Sequence, residues 1–201
     1  YNAGYYLLNG YTPFKDYWVV TGPFLDLFQL LIFKVFGINW LSYTLHSALF
    51  NIIFVLSSYF TFKKLNLNIN YAFIYALLLS LISYTQVGSP FVDHHASILS
   101  LIGLNFFVLA VKTQENKYWA IFPFILFLGF LSKQTPTAYF IIFITLIVAI
   151  NFLNKINIKN IIFLILGSFL SLTLLIAYLY LNEIKFEDFY NQYFLFASSV
   201  G

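Results

Sequence analysis

The sequence predicts an all-α membrane protein: one domain of about six spans, plus a further helix lying along the membrane interface. Three observations carry this. Of 201 residues, 61% are hydrophobic and only 8% charged, with a mean hydropathy of +0.85. A soluble domain carries about 25% charged residues, so lipid must replace water around most of this surface. Second, apolar runs fall at about 41–62, 70–86, 96–111, 118–132, 137–153 and 160–182, and a helix crosses the hydrocarbon core in about 20 residues. Third, the lysines sort onto alternate connections.

Taken in order, residues 1–22 are aromatic and extracytoplasmic. The next stretch, PFLDLFQLLIFKVF at 23–36, is short for a span. At 100° per residue, Asp26, Gln29 and Lys34 share one arc, while Leu25, Phe28, Leu31, Ile32, Val35 and Phe36 lie outside it. That pattern suits an interfacial helix with its polar arc toward water; a tilted half-span packed among other helices is the alternative. Pro23 suits its first turn and Gly37 its stop. The spans follow, separated by KKLNLNIN, QVGSPFVDHH, KTQENK, SKQTP and NKINIKN. None of these is a linker, and the chain carries no repeat. Residues 183–201 form a further extracytoplasmic segment.

Alternating the connections puts Lys63, Lys64, Lys112, Lys117, Lys155 and Lys159 on one side with Glu115, which the positive-inside rule makes cytoplasmic. The other side holds Asp16, Asp26, Asp93, Glu183, Glu187 and Asp188 against Lys15, Lys34, Lys133 and Lys185. The expected location is the plasma (inner) membrane, multi-pass, with the functional face outward.

A net charge of +3 spread over loops excludes a nucleic-acid face. The absence of Cys excludes disulfide and thiol chemistry. No signal peptide is visible at the start. The chain contains neither Met nor Arg, and Ile, Asn, Phe and Lys abound. That composition suggests an AT-rich bacterial genome and a fragment cut at both ends.

Ionisable groups in such a chain are costly and mark function. Asp93, His94 and His95 stand in PFVDHHASILS, at the head of an apolar run. Asp93 suits either a helix cap or an active-site carboxylate. Consecutive histidines point about 100° apart and bind one metal poorly, so no cofactor is called for, and divalent-metal dependence stays open. Lys133 interrupts FILFLGFLSKQTPTAYF, where two spans meet. It either snorkels to the headgroups or supplies charge to a phosphate, with Pro136 starting the next helix and the amides of Thr137 and Ala138 adding to the anion site. Lys15 and Asp16 lie among aromatics before the Gly22-Pro23 step. His46, inside a span, reads as a hydrogen-bonded interior histidine.

In order and spacing, NAGYYLLNGYTPFKDYWVVTGPFLDLFQLLIFKVFGINW, then VDHHASILSLIGLNFF, then FLGFLSKQTPTAYF resemble the GT-C class of polytopic glycosyltransferases. The similarity is greatest to the branch of protein mannosyltransferases, lipid A aminoarabinose transferases and RgtA/B/C/D-like domains. It covers nearly the whole chain through individually loose motifs. The resemblance implies a sugar carried on a polyprenyl phosphate and transferred, extracytoplasmically and usually with inversion, to a lipid, glycan or protein acceptor. It implies that the main catalytic acid precedes Tyr1, and that Asp16 and Lys15 lie where the first outer loop nears the donor. It makes Asp93 an acid near the sugar phosphate and Lys133 the lysine on the lipid-linked phosphate. Asp93 and Lys133 are then expected to face each other across the outer cavity, with His94 or His95 as a nearby donor. His46 departs from the resemblance, since many relatives place an Arg there. The competing readings are a transporter or flippase module, using Asp93, Lys133 and His46 as a relay, and a non-catalytic transferase remnant.

Overall fold

A computed structural model describes residues 2–83, 90–152 and 157–200. The described residues are helical almost throughout: α1 (Asn2–Leu8), α2 (Phe24–Phe36), α3 (Trp40–Lys64), α4 (Ile69–Ser83), α5 (Val92–Thr113), α6 (Asn116–Phe130), α7 (Gln134–Phe152), α8 (Ile158–Leu181) and α9 (Phe186–Tyr190). A π-helical turn over Asn191–Leu195 leads into α10 (Phe196–Val200).

Each of the six apolar runs becomes a helix. Among the described residues three of them, α3, α5 and α8, are long and apolar enough to cross a membrane, whereas α4, α6 and α7 are shorter apolar helices. Residues 84–86 and 153, expected within the second and fifth spans, lie outside the described residues.

Local chemistry sets the ends. Asn39 opens α3, its side-chain oxygen accepting from Ser42 N at 2.8 Å, and Lys63 and Lys64 occupy the last turn, where cations favour exposed carbonyls. Asn157 does the same for α8, accepting from Lys159 N at 3.1 Å. Gly37, at φ 78°, ends α2; only glycine adopts this readily.

α5 is central. Its buried face packs on α3, through Phe50 and Phe54 against Ile98, Leu99 and Ile102, and on α6 and α7, through Phe107 and Ala110 against Trp119, Phe122, Leu126 and Ile144. α8 sits on α6 so closely that a Cβ at Gly167 would fall 2.1 Å from the Ala120 carbonyl. Most of α8 is otherwise exposed and apolar: Ile162, Ile165, Leu166, Phe169 and Leu170 all face outward. Polar side chains turn inward. Asn105 donates to Ser57 and Ser58 Oγ, both at 3.0 Å, Ser83 Oγ donates to Asn51 Oδ1 at 2.6 Å, and Ser100 Oγ donates to Thr137 Oγ1 at 3.0 Å. This arrangement, apolar outside and hydrogen-bonded inside, is what lipid as solvent selects.

The interfacial-helix reading of 23–36 needs one correction. Gln29, expected on the water-facing arc, is 2% exposed and points into the bundle, while Leu31, Val35 and Phe36 are exposed with Lys34. The wheel sorts by polarity alone; the amide lies where a partner, the His46 ring, exists. The tail from 183 onward is also folded, as α9, the π turn and α10.

Candidate active site

Asp93 lies in the first turn of α5. That helix is opened by Phe91 in extended conformation, without any side-chain hydrogen bond. The capping reading of Asp93 therefore fails in its hydrogen-bonded form. The carboxylate instead accepts from Lys133: Nζ lies 2.5 Å from Oδ1, with side-chain exposures of 32% and 43%. Lys133 sits where α6 gives way to α7. Its backbone N–H and that of Ser132 both donate to Gly129 O, at 3.1 and 3.0 Å, and the chain then breaks from helical geometry at Thr135 (φ −95°, ψ 140°), before a cis Thr135–Pro136 peptide. Thr137 is fully buried on Ser100, so its side chain serves packing.

Lys133 lines a cavity of about 690 Å³ whose other walls include Val20, Phe130, Gln134, Tyr193 and Phe196. Glutamines hold it together. Gln134 Nε2 donates to Val20 O at 3.1 Å and to Tyr193 O at 2.5 Å. Gln192 accepts from Val19 N and donates to Phe14 O, both at 2.9 Å. The Tyr193 hydroxyl donates to Phe130 O. Gly22 presses on the same corner: its Cβ would lie 1.9 Å from Leu131 O, which also accepts from Phe24 N at 3.2 Å.

Other expected site residues are placed differently. Lys15 pairs with Glu183 at 2.8 Å, well exposed, and does not join the Asp93–Lys133 pair. Asp16 Oδ2 accepts from Thr12 N at 2.6 Å, shaping its own loop. His46 and His95 are fully buried, their rings edge to face at 4.7 Å, and His46 Nδ1 lies 2.8 Å from Gln29 Oε1. His94 packs near Phe91, with ring centroids 5.7 Å apart. Among the described residues no three His, Asp or Glu side chains gather to hold a metal.

Sequence reasoning missed Gln29, Gln134, Gln192 and Glu183. The signal available for Gln29 and Gln192 was an amide stranded among aromatic and aliphatic neighbours; Gln134, in the polar LSKQTP connection, gave none. Asp26 was grouped with water-facing residues, yet burial pushes its carboxyl up to about 6. Burial, and then the Asp26 charge, raises the Tyr17 phenol as well.

Chemically, a half-exposed ammonium on a cavity wall can receive an anion, and the carboxylate beside it aims that ammonium. The family model for dolichyl-phosphate-mannose-protein mannosyltransferase matches residues 20–181. No curated protein and no solved structure matches the chain.

Proposed function

The chain belongs to the dolichyl-phosphate-mannose-protein mannosyltransferase family, and on that premise we propose that it transfers a sugar from a polyprenyl-phosphate donor to a lipid, glycan or protein acceptor on the extracytoplasmic side of a bacterial inner membrane. The observation that carries this reading is the Asp93–Lys133 pair, where Lys133 meets the cavity.

The donor phosphate docks on Lys133. As an acceptor hydroxyl or amine attacks the anomeric carbon, the bond from that carbon to the phosphate oxygen breaks. Negative charge grows on the departing polyprenyl phosphate, and the Lys133 ammonium offsets it. Asp93 holds Lys133 in place until the phosphate arrives and then orients the sugar. Lys15 and Asp16 act on the loop that borders the cavity. The remaining expectations fit the same picture. Residues 12–24, 90–95, 131–134 and 182–198 converge at one end through the contacts above, and Lys64 and Glu115 meet electrostatically at the other. This supports six spans with the lysine-rich connections in the cytoplasm.

Asp93→Asn tests the reading, since it preserves shape and removes charge. In the full-length protein supplied with a polyprenyl-phosphate sugar, transfer should fall by about 10²-fold. Full activity in Asp93→Asn would sink this site. Topology is tested separately, without a native Cys background: a cysteine placed at Asn66 should resist an impermeant thiol reagent in intact cells.

A further inference from the structure

α2 connects to both halves of the ion pair through intermediates, Leu131 on one side and His46 with His95 on the other. At its start, Phe24 N donates to Leu131 O at 3.2 Å and Gly22 leaves room for that same carbonyl, two residues before Lys133. Farther along, Gln29 Oε1 lies 2.8 Å from His46 Nδ1. An amide oxygen only accepts, so Nδ1 carries the proton. His46 stands edge-on to His95 at 4.7 Å, and Phe50, one turn along α3, packs on His95 at 4.6 Å. His95 is two residues after Asp93. Tyr43, also on α3, donates to Pro90 O at 3.4 Å, just ahead of α5. Gln29, His46 and His95 are all buried, so breaking the hydrogen bond strands a buried polar group.

We propose that Gln29 and His46 are positioning residues for Asp93. Their hydrogen bond makes α2 a strut, with the Lys133 connection seated on one end and the first turn of α5 held, through His46 and His95, from its middle. The Asp93 carboxylate meets Lys133 because one helix sets the place of both. The strut explains why an amide and a histidine, each costly in lipid, face each other within an apolar contact. Its catalytic consequence rests on the transferase reading; its geometric consequence does not.

Two measurements on the full-length protein in detergent test it. The first is the modification rate of Lys133 by an amine-reactive reagent, read by mass spectrometry, with exposed Lys112 as the internal reference. Asp93→Asn defines the rate of an unpaired Lys133. Gln29→Leu and His46→Gln, which moves the donor to the ε position, should raise the Lys133 rate toward that value. His46→Asn keeps a donor where Nδ1 stood and should stay near the parent. Lys112 should be constant throughout, and a variant that shifts it is replaced by the other one. A Lys133 rate in Gln29→Leu and His46→Gln equal to the parent's, with Asp93→Asn raised, overturns the proposal. The second measurement is transfer. If Gln29 and His46 act through Asp93, adding His46→Gln to Asp93→Asn costs nothing further; losses that multiply overturn it. A parent protein that transfers no sugar would refute the transferase reading, while the labelling rates would still decide the strut.

Discussion

Lys133 and Lys15 each reach a carboxylate at the same end of the bundle, 2.5 Å from Asp93 and 2.8 Å from Glu183. Their surroundings differ. Glu183 is 82% exposed and Lys15 40%, so water and salt screen that pair from every side. Each partner raises or lowers the other in the ordinary sense: the Glu183 hydrogen bond lifts the Lys15 pKa and the Lys15 bond lowers that of Glu183. Lys133 instead stands on a cavity wall, braced by the backbone bonds at Gly129 and by the α2 contact at Leu131. The first pair is a tether between loops. The second joins the head of α5 to the α6–α7 connection beside a cavity, where the proposed function puts the donor phosphate. Identical chemistry thus stands in two different supports.

Substitutions should separate the two. The largest effect is expected at Lys133: Lys133→Ala should lower transfer by about 10²–10³-fold, the cost of a lost charge contact at a transition state, while leaving the melting temperature in detergent near the parent's. Next comes the support. Gly22→Ala drives a methyl group into the Leu131 carbonyl and should destabilise by about 1–3 kcal/mol, read as a lower melting temperature, with reduced transfer. A smaller, pH-dependent effect belongs to Asp26. Its folded-state pKa of about 6 exceeds the ordinary 3.8, so between those values the folded chain binds more protons than the unfolded one. Stability should therefore fall as pH rises from about 4 to about 6, and Asp26→Asn should flatten that slope in thermal unfolding at several pH values. Least affected is the tether: Lys15→Ala should change transfer by no more than about twofold, and the change should vanish at high salt. A loss at Lys15 matching that at Lys133 would erase the distinction between the pairs.

The sequence carried the helical runs because their apolar lengths depend only on the solvent. It also carried the meeting of Asp93 and Lys133. Both stand where apolar runs begin or end, and alternation of the connections puts those ends together. It did not carry the roles of Gln29 and Gln192. A helical wheel sorts residues by polarity but not by what lies across the interface, where Gln29 meets His46 and Gln192 meets Phe14 and Val19. The partner of Lys15 was hidden for a related reason. Its neighbour in sequence, Asp16, turns to the Thr12 amide, and its partner, Glu183, lies 168 residues away, a pairing no local pattern encodes.

The Gln192 clasp sets a timetable for assembly. Its amide bonds Val19 and Phe14 across 173 and 178 residues, so residues 14–19 find these partners only after the π-helical turn over Asn191–Leu195 has been made. Closing so long a loop is rewarded only when the helices between its ends have packed. The same two segments supply Val20, Thr21 and Tyr193 to the wall that Lys133 shares. A chain stopped short of Gln192 would thus lack the two hydrogen bonds that fix Phe14 and Val19.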